Sequence, residues 1–373
     1  MSQSHSRVAP GSLVLLEGHD PHTDVPTEYV AKNPAQAMAR LKAGKTTVVA
    51  TSLDRAKLVA TYANANGRPV VVAVNEHTRP DYAEALGKSV RLVDRPQLVL
   101  LGDDLSHVTD PIVVFGDLHQ CWRTYLEFRE AARRLYGDNV LLVSAGDVFD
   151  KGGNGPQDVV TTASLLMSDW AAGNFLQVAG NHDMVLSTRL AKALHAHATG
   201  TDLPSQNRTP RALMRAGTDL ATSVLRYLQD LPLYIRVDSK TVVVHAAWDP
   251  ELASTSPNSK RFMENCLYGP RPPKGQPRYD QRGKYVLVDW APSYTGFDTV
   301  LHGHHDHPEV SVVNNVVGLD TGCVYGNRLT GYLVGQDPNE PGSYISISAN
   351  PADLRTNPTP ITPELTGDVD PVE

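Results

Sequence analysis

The chain has few cysteines, no surplus of positive charge and no long apolar segment. It has three cysteines, Cys121, Cys266 and Cys323, which is an odd number, and their spacing is not that of a metal site. A disulfide framework is therefore not expected, and a reducing cytoplasm is the expected location. The formal net charge of −7 argues against a protein that coats nucleic acid by bulk electrostatics, although a nucleic-acid end could still be bound locally. Without a membrane-length apolar run or a signal-peptide pattern, no membrane partner is expected.

The 373 residues, of which 41% are hydrophobic and 20% charged, have room for one large or two ordinary domains. Residues 1–10 are polar and predict a frayed leader, and 349–373, rich in Pro, Thr and Asp, predict a disordered tail. Residues 11–108 alternate strand-like and helix-like runs, which predicts a small α/β domain with a mostly parallel sheet. Residues 109–348 predict a second, larger α/β domain with helices flanking its strands.

Six short segments of the second domain each end a hydrophobic run with residues that can bind metal. In chain order they are Gly116-Asp117-Leu118-His119, Gly146-Asp147-Val148-Phe149-Asp150-Lys151-Gly152, Gly180-Asn181-His182-Asp183, Val244-His245-Ala246, Gly303-His304 and Leu319-Asp320-Thr321-Gly322. Each run predicts a buried strand, so these side chains would lie where strands end and loops begin. Buried carboxylates and imidazoles are costly without a metal. The ordered set therefore indicates a two-metal hydrolase.

Two divalent ions a few ångströms apart need a bridging carboxylate and separate ligands for each ion. Asp117 and His119, two residues apart on an extended segment, project to one face and are the predicted ligands of the first metal. The predicted bridge is Asp147, and the second metal is completed by Asn181, His245 and His304. This mixture of carboxylate, imidazole and amide suits Mn, Fe or Zn better than Mg or Ca.

Residues beside these ligands have predicted roles in turns and catalysis. Four of the ligands are preceded by a glycine: Gly116, Gly146, Gly180 and Gly303. A positive φ is expected at these glycines, because it would aim the next side chain inward. His182 is the predicted general acid for the leaving oxygen, and Asp150 is its predicted orienting partner, which keeps it protonated. Lys151 would place a positive charge near the incoming phosphate, and an ordinary loop cation fits the sequence equally well.

The segments resemble the motifs of the calcineurin-like metallophosphoesterases, in particular the phosphoprotein-phosphatase type, whose pattern is GDxHG, GDxVDRG, GNHE, VHAG and GH. The resemblance covers about 109–335 and implies a four-layer α/β/β/α sandwich. It favours His304 over His302 as a ligand, because Gly303-His304 matches the GH motif. Lys151 stands where the family has Arg, and Lys lacks the bidentate fork that Arg offers to phosphate. Gln120 and Asp183 replace a Gly and a Glu of the pattern.

Later residues resemble the phosphatase module of bacterial polynucleotide kinase-phosphatases, which are RNA-repair enzymes. They are Leu267-Tyr268-Gly269, Trp290, Tyr294, Gly296, Val313-Asn314-Asn315 and Asp320 to Gly326, ending in Leu329-Thr330. This implies a phosphomonoesterase, also able to cleave 2′,3′-cyclic or other phosphodiesters, that acts on nucleic-acid ends or nucleotides. Two divalent ions are implied, Mn first and Ni, Fe or Zn as alternatives, with a metal-bound hydroxide as nucleophile. Asp320 matches a required aspartate of that module.

Residues 11–108 resemble a P-loop kinase domain that has lost its phosphate-binding loop. The resemblance lies in 38–74, but the chain after the first strand-like run reads HDPHTDVPTEY, without Gly-Lys-Ser/Thr. Gly44-Lys45-Thr46 is not a substitute, because it ends a predicted helix and enters a strand. We therefore expect no phosphoryl transfer from ATP. Packing, oligomerisation and substrate presentation stay open as roles.

Other functions share parts of this pattern. A serine/threonine phosphoprotein phosphatase or a dinucleoside polyphosphate hydrolase would use the same ligand set. A nucleotide-sensing protein with a vestigial phosphatase is a different class, which the complete set of ligands with His182 and Asp150 opposes. A second phosphate-binding arginine has four candidates: Arg261, Arg271, Arg278 and Arg282.

Overall fold

The structure is a computed structural model. It describes residues 104–153, 155–201, 208–273 and 286–354, and parts of the N-terminal region: 6–8, 13–17, 37, 40–41, 47–51, 60, 63, 65, 68, 70–74, 91–94 and 98–100. The predictions for residues 19–29, 44–46 and 355–373 lie outside the described residues, as do Arg278 and Arg282.

The N-terminal region contains a parallel sheet, as its alternating pattern predicts. Its strands are β1 (Ser6–Val8), β2 (Leu13–Glu17), β3 (Thr47–Thr51), β4 (Val70–Val74), β5 (Arg91–Asp94) and β6 (Leu98–Leu100). Four of them form a parallel sheet in the order β3-β2-β4-β5, and β1 pairs in parallel with β6. Such sheets favour continuous apolar runs like the VVVAV of β4. Part of the predicted leader, residues 6–8, is thus a strand rather than frayed chain.

Two five-stranded sheets follow in the larger domain. The first has the order β16-β15-β7-β8-β9, with β7 to β9 parallel: β7 (Ile112–Phe115), β8 (Leu141–Ser144), β9 (Phe175–Gln177), β15 (Arg328–Leu333) and β16 (Tyr344–Ser348). The second has the order β10-β11-β12-β14-β13, with β11, β12 and β14 parallel: β10 (Tyr234–Arg236), β11 (Thr241–Val244), β12 (Thr299–His302), β13 (Ser311–Val313) and β14 (Val316–Gly318).

The α-helices described in this domain are α1 (Trp122–Tyr136), α2 (Pro156–Ala171), α3 (Asn181–Thr199), α4 (Arg208–Ala216), α5 (Thr218–Gln229), α6 (Pro250–Thr255) and α7 (Lys260–Tyr268). Helices α3 to α5 form the helical insertion predicted between His182 and His245. Among the residues that the structure describes, no helix is long and apolar enough to cross a bilayer.

Alternate residues of the second sheet face two different cores. Val243 and Leu301 belong to the large core that also contains the strands of the first sheet. Their neighbours Val242 and Val300 belong to a smaller core with Phe262 of α7. A strand whose side chains alternate between two apolar layers lies between those layers. The predicted mixed α/β class is therefore confirmed, with the two sheets sharing a core.

The N-terminal region contacts the larger domain through a few polar links. Arg68 forms an ion pair with Asp230, just after α5, and is almost fully buried. Burial, and then the nearby Arg226, lower the pKa of Arg68 to about 10. Leu105 N donates a hydrogen bond of 2.8 Å to the backbone oxygen of Arg236 in β10.

Helix α1 is capped by a carboxylate from the far end of the chain. Its N-cap residue, Cys121, makes no capping hydrogen bond with its side chain. Asp353 accepts bonds of 2.9 and 2.8 Å from Thr124 N and Oγ1, and one of 3.0 Å from Arg123 Nη1. A negative charge at a helix N-terminus satisfies free N–H groups and the helix dipole. The 3-10 turn Pro351–Asp353 thus lies within the segment 349–373 that the sequence predicts to be disordered, so that prediction is wrong for these residues.

We predict that Asp353→Ala lowers the free energy of unfolding by about 2–4 kcal/mol, because it removes the cap and leaves buried donors without a partner. Chemical denaturation followed by circular dichroism measures the loss. Asp138→Ala, at an exposed carboxylate with no such role, is the matched control and should leave stability unchanged. Equal stability of the two variants would contradict the capping role.

Candidate metal centre

The six predicted metal ligands follow strands that run parallel within each sheet. Parallel strands bring their carboxyl ends, and the loops after them, to one edge of the sheet. Strands β7, β8 and β9 supply ligands from the first sheet, and β11 and β12 supply them from the second. In that order the ligands are Asp117 and His119, Asp147, Asn181, His245 and His304.

The ligand atoms form two overlapping groups that share Asp147. One group is Asp117, His119 and Asp147, the other is Asp147, His245 and His304, and within each the ligand atoms all lie within 4.8 Å of one another. Asp147 Oδ2 lies 3.6 Å from His119 Nε2, and Asp147 Oδ1 lies 3.6 Å from His245 Nε2. One carboxylate therefore faces both groups, as the predicted bridge requires.

Asn181 joins the second group through a contact that favours a cation. Its Oδ1 lies 3.0 Å from His245 Nε2, while His245 Nδ1 lies 2.8 Å from Ala145 O. The Ala145 carbonyl can only accept, so Nδ1 carries the ring proton and Nε2 presents a lone pair. Burial lowers the pKa of His245, which favours the neutral ring. Two acceptors thus face each other, and a shared divalent ion would stabilise this arrangement.

Buried polar atoms of the centre also fit metal ions. Asp147 Oδ2 and His304 Nε2 are buried and have no hydrogen-bond partner among the described residues. Burial raises the pKa of Asp117, and the neighbouring charges of Asp320 and Asp147 raise it further. Divalent ions would offset this repulsion between carboxylates and give the orphaned atoms a partner. The residues present therefore fit a dinuclear centre.

The glycines before the ligands provide space rather than positive φ, with one exception. Gly146 has φ 101°, whereas the other three lie outside the positive region, so the prediction is wrong for those three. A methyl group at Gly180 would overlap the carboxylate of Asp147, and one at Gly303 would overlap that of Asp117. Positive φ is found instead at three ligands: His119 (47°), Asp147 (49°) and His304 (64°). Such strain, about 1–3 kcal/mol per residue, persists only where the surroundings impose it.

His182 lies beside the first group without belonging to it. Its Nδ1 is 3.3 Å from Asp150 Oδ2, and its ring meets that of His119 edge-on with centroids 5.2 Å apart. Although burial alone would raise the pKa of Asp150, hydrogen bonding to His182 and the charge of that histidine hold it below the usual range. Asp150 is therefore an ionised acceptor within reach of the imidazole, and its role as orienting partner stays a prediction.

Lys151 and Asp320 flank the same centre. Lys151 Nζ lies 3.2 Å from His119 Nε2. Burial favours the neutral amine of Lys151, but Asp147 and then Tyr325 outweigh it and raise its pKa. Asp320 is buried, belongs to neither ligand group and accepts a 3.0 Å bond from Gly322 N. Burial raises the pKa of Asp320 to about 6.

The loop that carries Asp150 and Lys151 is strained and is tied to the helical insertion. Asp150 and Lys151 have φ of 71° and 60°. At the start of α4, Thr209 Oγ1 lies 3.1 Å from Asp150 Oδ1, and Arg208 Nη2 donates a 2.8 Å bond to Gly153 O. Neither residue could be identified from the sequence, because both lie more than 50 positions from their partners and match no motif.

Gln120 supports this loop from the other side. With its amide nitrogen on Gly152 O at 2.8 Å, its oxygen accepts from Asp150 N at 3.2 Å, and this orientation satisfies both groups. Asp183, the other departure from the motif pattern, is fully buried and accepts bonds from Gln177 Nε2 and the backbone of Phe149. Neither residue is a ligand, yet each holds a loop of the centre.

Other candidate residues lie apart from the two groups. His302 is buried with Nδ1 2.9 Å from Gly303 O, and its ring packs near Trp290, so the structure places His304 rather than His302 in the second group. Arg271 pairs with Glu264 of α7. The charge of Arg189, on the same helix as His182, acts on Asp150. Besides Lys151, basic residues near the His182–Asp150 pair therefore come from α3 and α4.

Comparisons with known proteins agree with this geometry. Residues 110–308 match the model of the calcineurin-like phosphoesterase family. The chain is 26% identical over 229 residues to the bis(5′-nucleosyl)-tetraphosphatase PrpE [asymmetrical] of Anoxybacillus flavithermus, covering 58% of this chain and 87% of that protein. It is 26% identical over 235 residues to the protein of that name from Bacillus subtilis, covering 59% and 88%.

We predict that Asp147→Asn weakens binding of Mn²⁺ at least about 100-fold and lowers the bound metal from two ions per chain to at most one. The shared carboxylate would lose the charge that serves both groups. Calorimetric titration of metal-stripped protein and elemental analysis measure affinity and content directly. Asp306→Asn, an exposed neighbour in neither group, is the control. Two tightly bound ions in Asp147→Asn would refute the bridging role.

Proposed function

We propose that this chain, which belongs to the calcineurin-like phosphoesterase family and is a metal-dependent phosphoric ester hydrolase, acts on phosphorylated nucleotides. The observation that carries the proposal is the pair of ligand groups sharing Asp147, with the His182–Asp150 pair beside them. The names of the relatives support a nucleotide substrate. We take Mn²⁺ as the first candidate metal, because the ligands combine carboxylate, amide and imidazole donors.

The residues of the centre divide the work of hydrolysis. Two divalent ions held there would supply Lewis acidity towards the phosphoryl oxygens and activate a water as nucleophile. The chain contributes His182, which donates a proton to the departing oxygen while Asp150 holds its Nδ1. Lys151 adds positive charge beside His119, whereas Asp320 adds negative charge near the ligand Asp117, which bound divalent ions would offset.

Two nucleotide classes follow from different observations. The relatives named as asymmetrical bis(5′-nucleosyl)-tetraphosphatases favour dinucleoside polyphosphates, whose anhydride bonds release a weakly basic phosphate. The complete His182–Asp150 pair favours phosphomonoesters or phosphodiesters of nucleotides and nucleic-acid ends, since a sugar alkoxide needs protonation to depart. The resemblance to RNA-repair phosphatases supports this second class. For residues 11–108 we propose a role without ATP-dependent phosphoryl transfer.

A substrate panel tests the proposed function. Metal-stripped protein is titrated with Mn, Ni, Fe, Zn or Mg and offered diadenosine tetraphosphate, nucleoside 2′-, 3′- and 5′-phosphates, 2′,3′-cyclic phosphates and phosphopeptides. We expect turnover of nucleotides, and product analysis separates anhydride from ester cleavage. Activity confined to phosphopeptides would instead indicate a phosphoprotein phosphatase, and no metal-dependent hydrolysis would leave a binding protein.

We predict that Thr209→Val lowers kcat about tenfold for β-glycerophosphate and far less for p-nitrophenyl phosphate. Thr209 acts on His182 through Asp150, and the loss of one hydrogen bond from this network lowers the rate by about this factor. The nitrophenolate leaving group departs without a proton, so it depends little on the acid. Thr209→Ser keeps the hydroxyl and is the matched control. An equal loss with both substrates would show that Thr209 only supports the fold.

A further inference from the structure

Tyr325 is an exposed aromatic residue on a short, well-defined turn. Its side chain is 66% exposed, and it makes no ring contact with another aromatic group among the described residues. The 3-10 turn Cys323–Tyr325 lies between two glycines in the left-handed region, Gly322 and Gly326. Tyr325 N donates a 3.0 Å bond to Gly322 O, which closes the turn. The backbone therefore fixes the point from which the Tyr325 side chain projects.

The turn lies beside the loop of the metal centre. A methyl group placed on Gly152 would lie 3.4 Å from Val324 Cγ2, so Val324 of the turn is a close neighbour of Gly152 in the loop. Cys323, at the start of the turn, is buried in the large core. Lys151, next to Gly152 in that loop, reaches His119 Nε2 with its Nζ at 3.2 Å. Tyr325 thus stands at the rim of the centre, on the side of Lys151.

A substrate bound at this centre must extend from the buried ligands towards solvent. Its reacting phosphate must approach those ligands, which lie at the strand ends. The turn that carries the exposed Tyr325 lies beside the loop of Lys151, within the region into which the rest of the molecule would extend. An exposed ring held there can stack on any flat aromatic group of the substrate, because stacking depends on the π faces rather than on specific hydrogen bonds.

We propose that Tyr325 is a stacking platform for the nucleobase of the substrate, beside the phosphate-binding residue Lys151. The proposal rests on the proposed nucleotide substrate and names the part of the chain that would recognise the base. Stacking on an aromatic side chain is sequence-tolerant, so both purines and pyrimidines would bind, with the larger purines held more tightly. The contribution falls on substrate binding, and the bond-breaking step is unaffected.

Inhibition constants test this without requiring that nucleotides be turned over. Adenosine 5′-phosphate and ribose 5-phosphate, which differ in the base, are compared as competitive inhibitors of p-nitrophenyl phosphate hydrolysis by the Mn²⁺-loaded full chain. In the unmodified protein we expect adenosine 5′-phosphate to bind about tenfold more tightly than ribose 5-phosphate. Tyr325→Ala should abolish that preference, whereas Tyr325→Phe should keep it within about twofold, because the ring is retained.

Phe297 supplies the matched control. Its side chain is 98% exposed, and it lies before β12, whereas the ligand His304 follows the other end of that strand. Phe297→Ala should therefore leave both inhibition constants unchanged. The proposal is overturned if Tyr325→Ala retains the preference for adenosine 5′-phosphate, if Tyr325→Phe loses it, or if the unmodified protein shows no preference. A clear preference in a protein that hydrolyses no nucleotide would instead count against the proposed function alone.

Discussion

Crowding of buried carboxylates around Asp147 is the constraint on which the rest of the structure depends. Asp117 and Asp320 act on each other electrostatically, Asp147 adds to that repulsion, and all three are buried where water cannot screen them. A purely structural core would avoid this arrangement, because each buried charge costs several kcal/mol unless it is paired. The ammonium group of Lys151 relieves part of the cost, and the orphaned ligand atoms indicate where divalent ions would relieve the remainder.

Close approach between strands explains much of the local backbone. For Asp147 and Asp117 to share one centre, the chain at Gly180 and Gly303 must pass within contact of their carboxylates, which leaves no room for a Cβ. The ligands themselves adopt the left-handed turn conformation, with positive φ at His119, Asp147 and His304. This strain is maintained by the two packed sheets and by Arg208 and Thr209 of the helical insertion, which hold the loop from outside.

The parts of the centre that follow strands could be predicted from the sequence, because a hydrophobic run followed by Asp, His or Asn places a ligand at a known edge of a sheet. The parallel pairing of β2 with β3 and β4 followed from alternation in the same way. Contacts between distant segments could not be predicted. The cap that Asp353 forms on α1 spans about 230 positions, and Thr209 reaches Asp150 from an insertion whose sequence shows only helical periodicity. The positive φ expected at all four glycines was wrong for three of them. Sequence spacing shows where the chain turns, but it does not show which groups lie against the turn.

Under the proposed function, the leaving group decides which class of nucleotide substrate fits this centre. A phosphate released from an anhydride is stable as an anion, so an enzyme restricted to such bonds gains little from a fixed proton donor. Here His182 is held by Asp150, Asp150 contacts Thr209, and Gln120 supports the backbone of the same loop. Three residues from separate segments, Asp150, Thr209 and Gln120, therefore hold the His182 imidazole in place. A fixed proton donor matters most when the departing oxygen is basic, so this network supports the proposal that the centre cleaves sugar–phosphate esters.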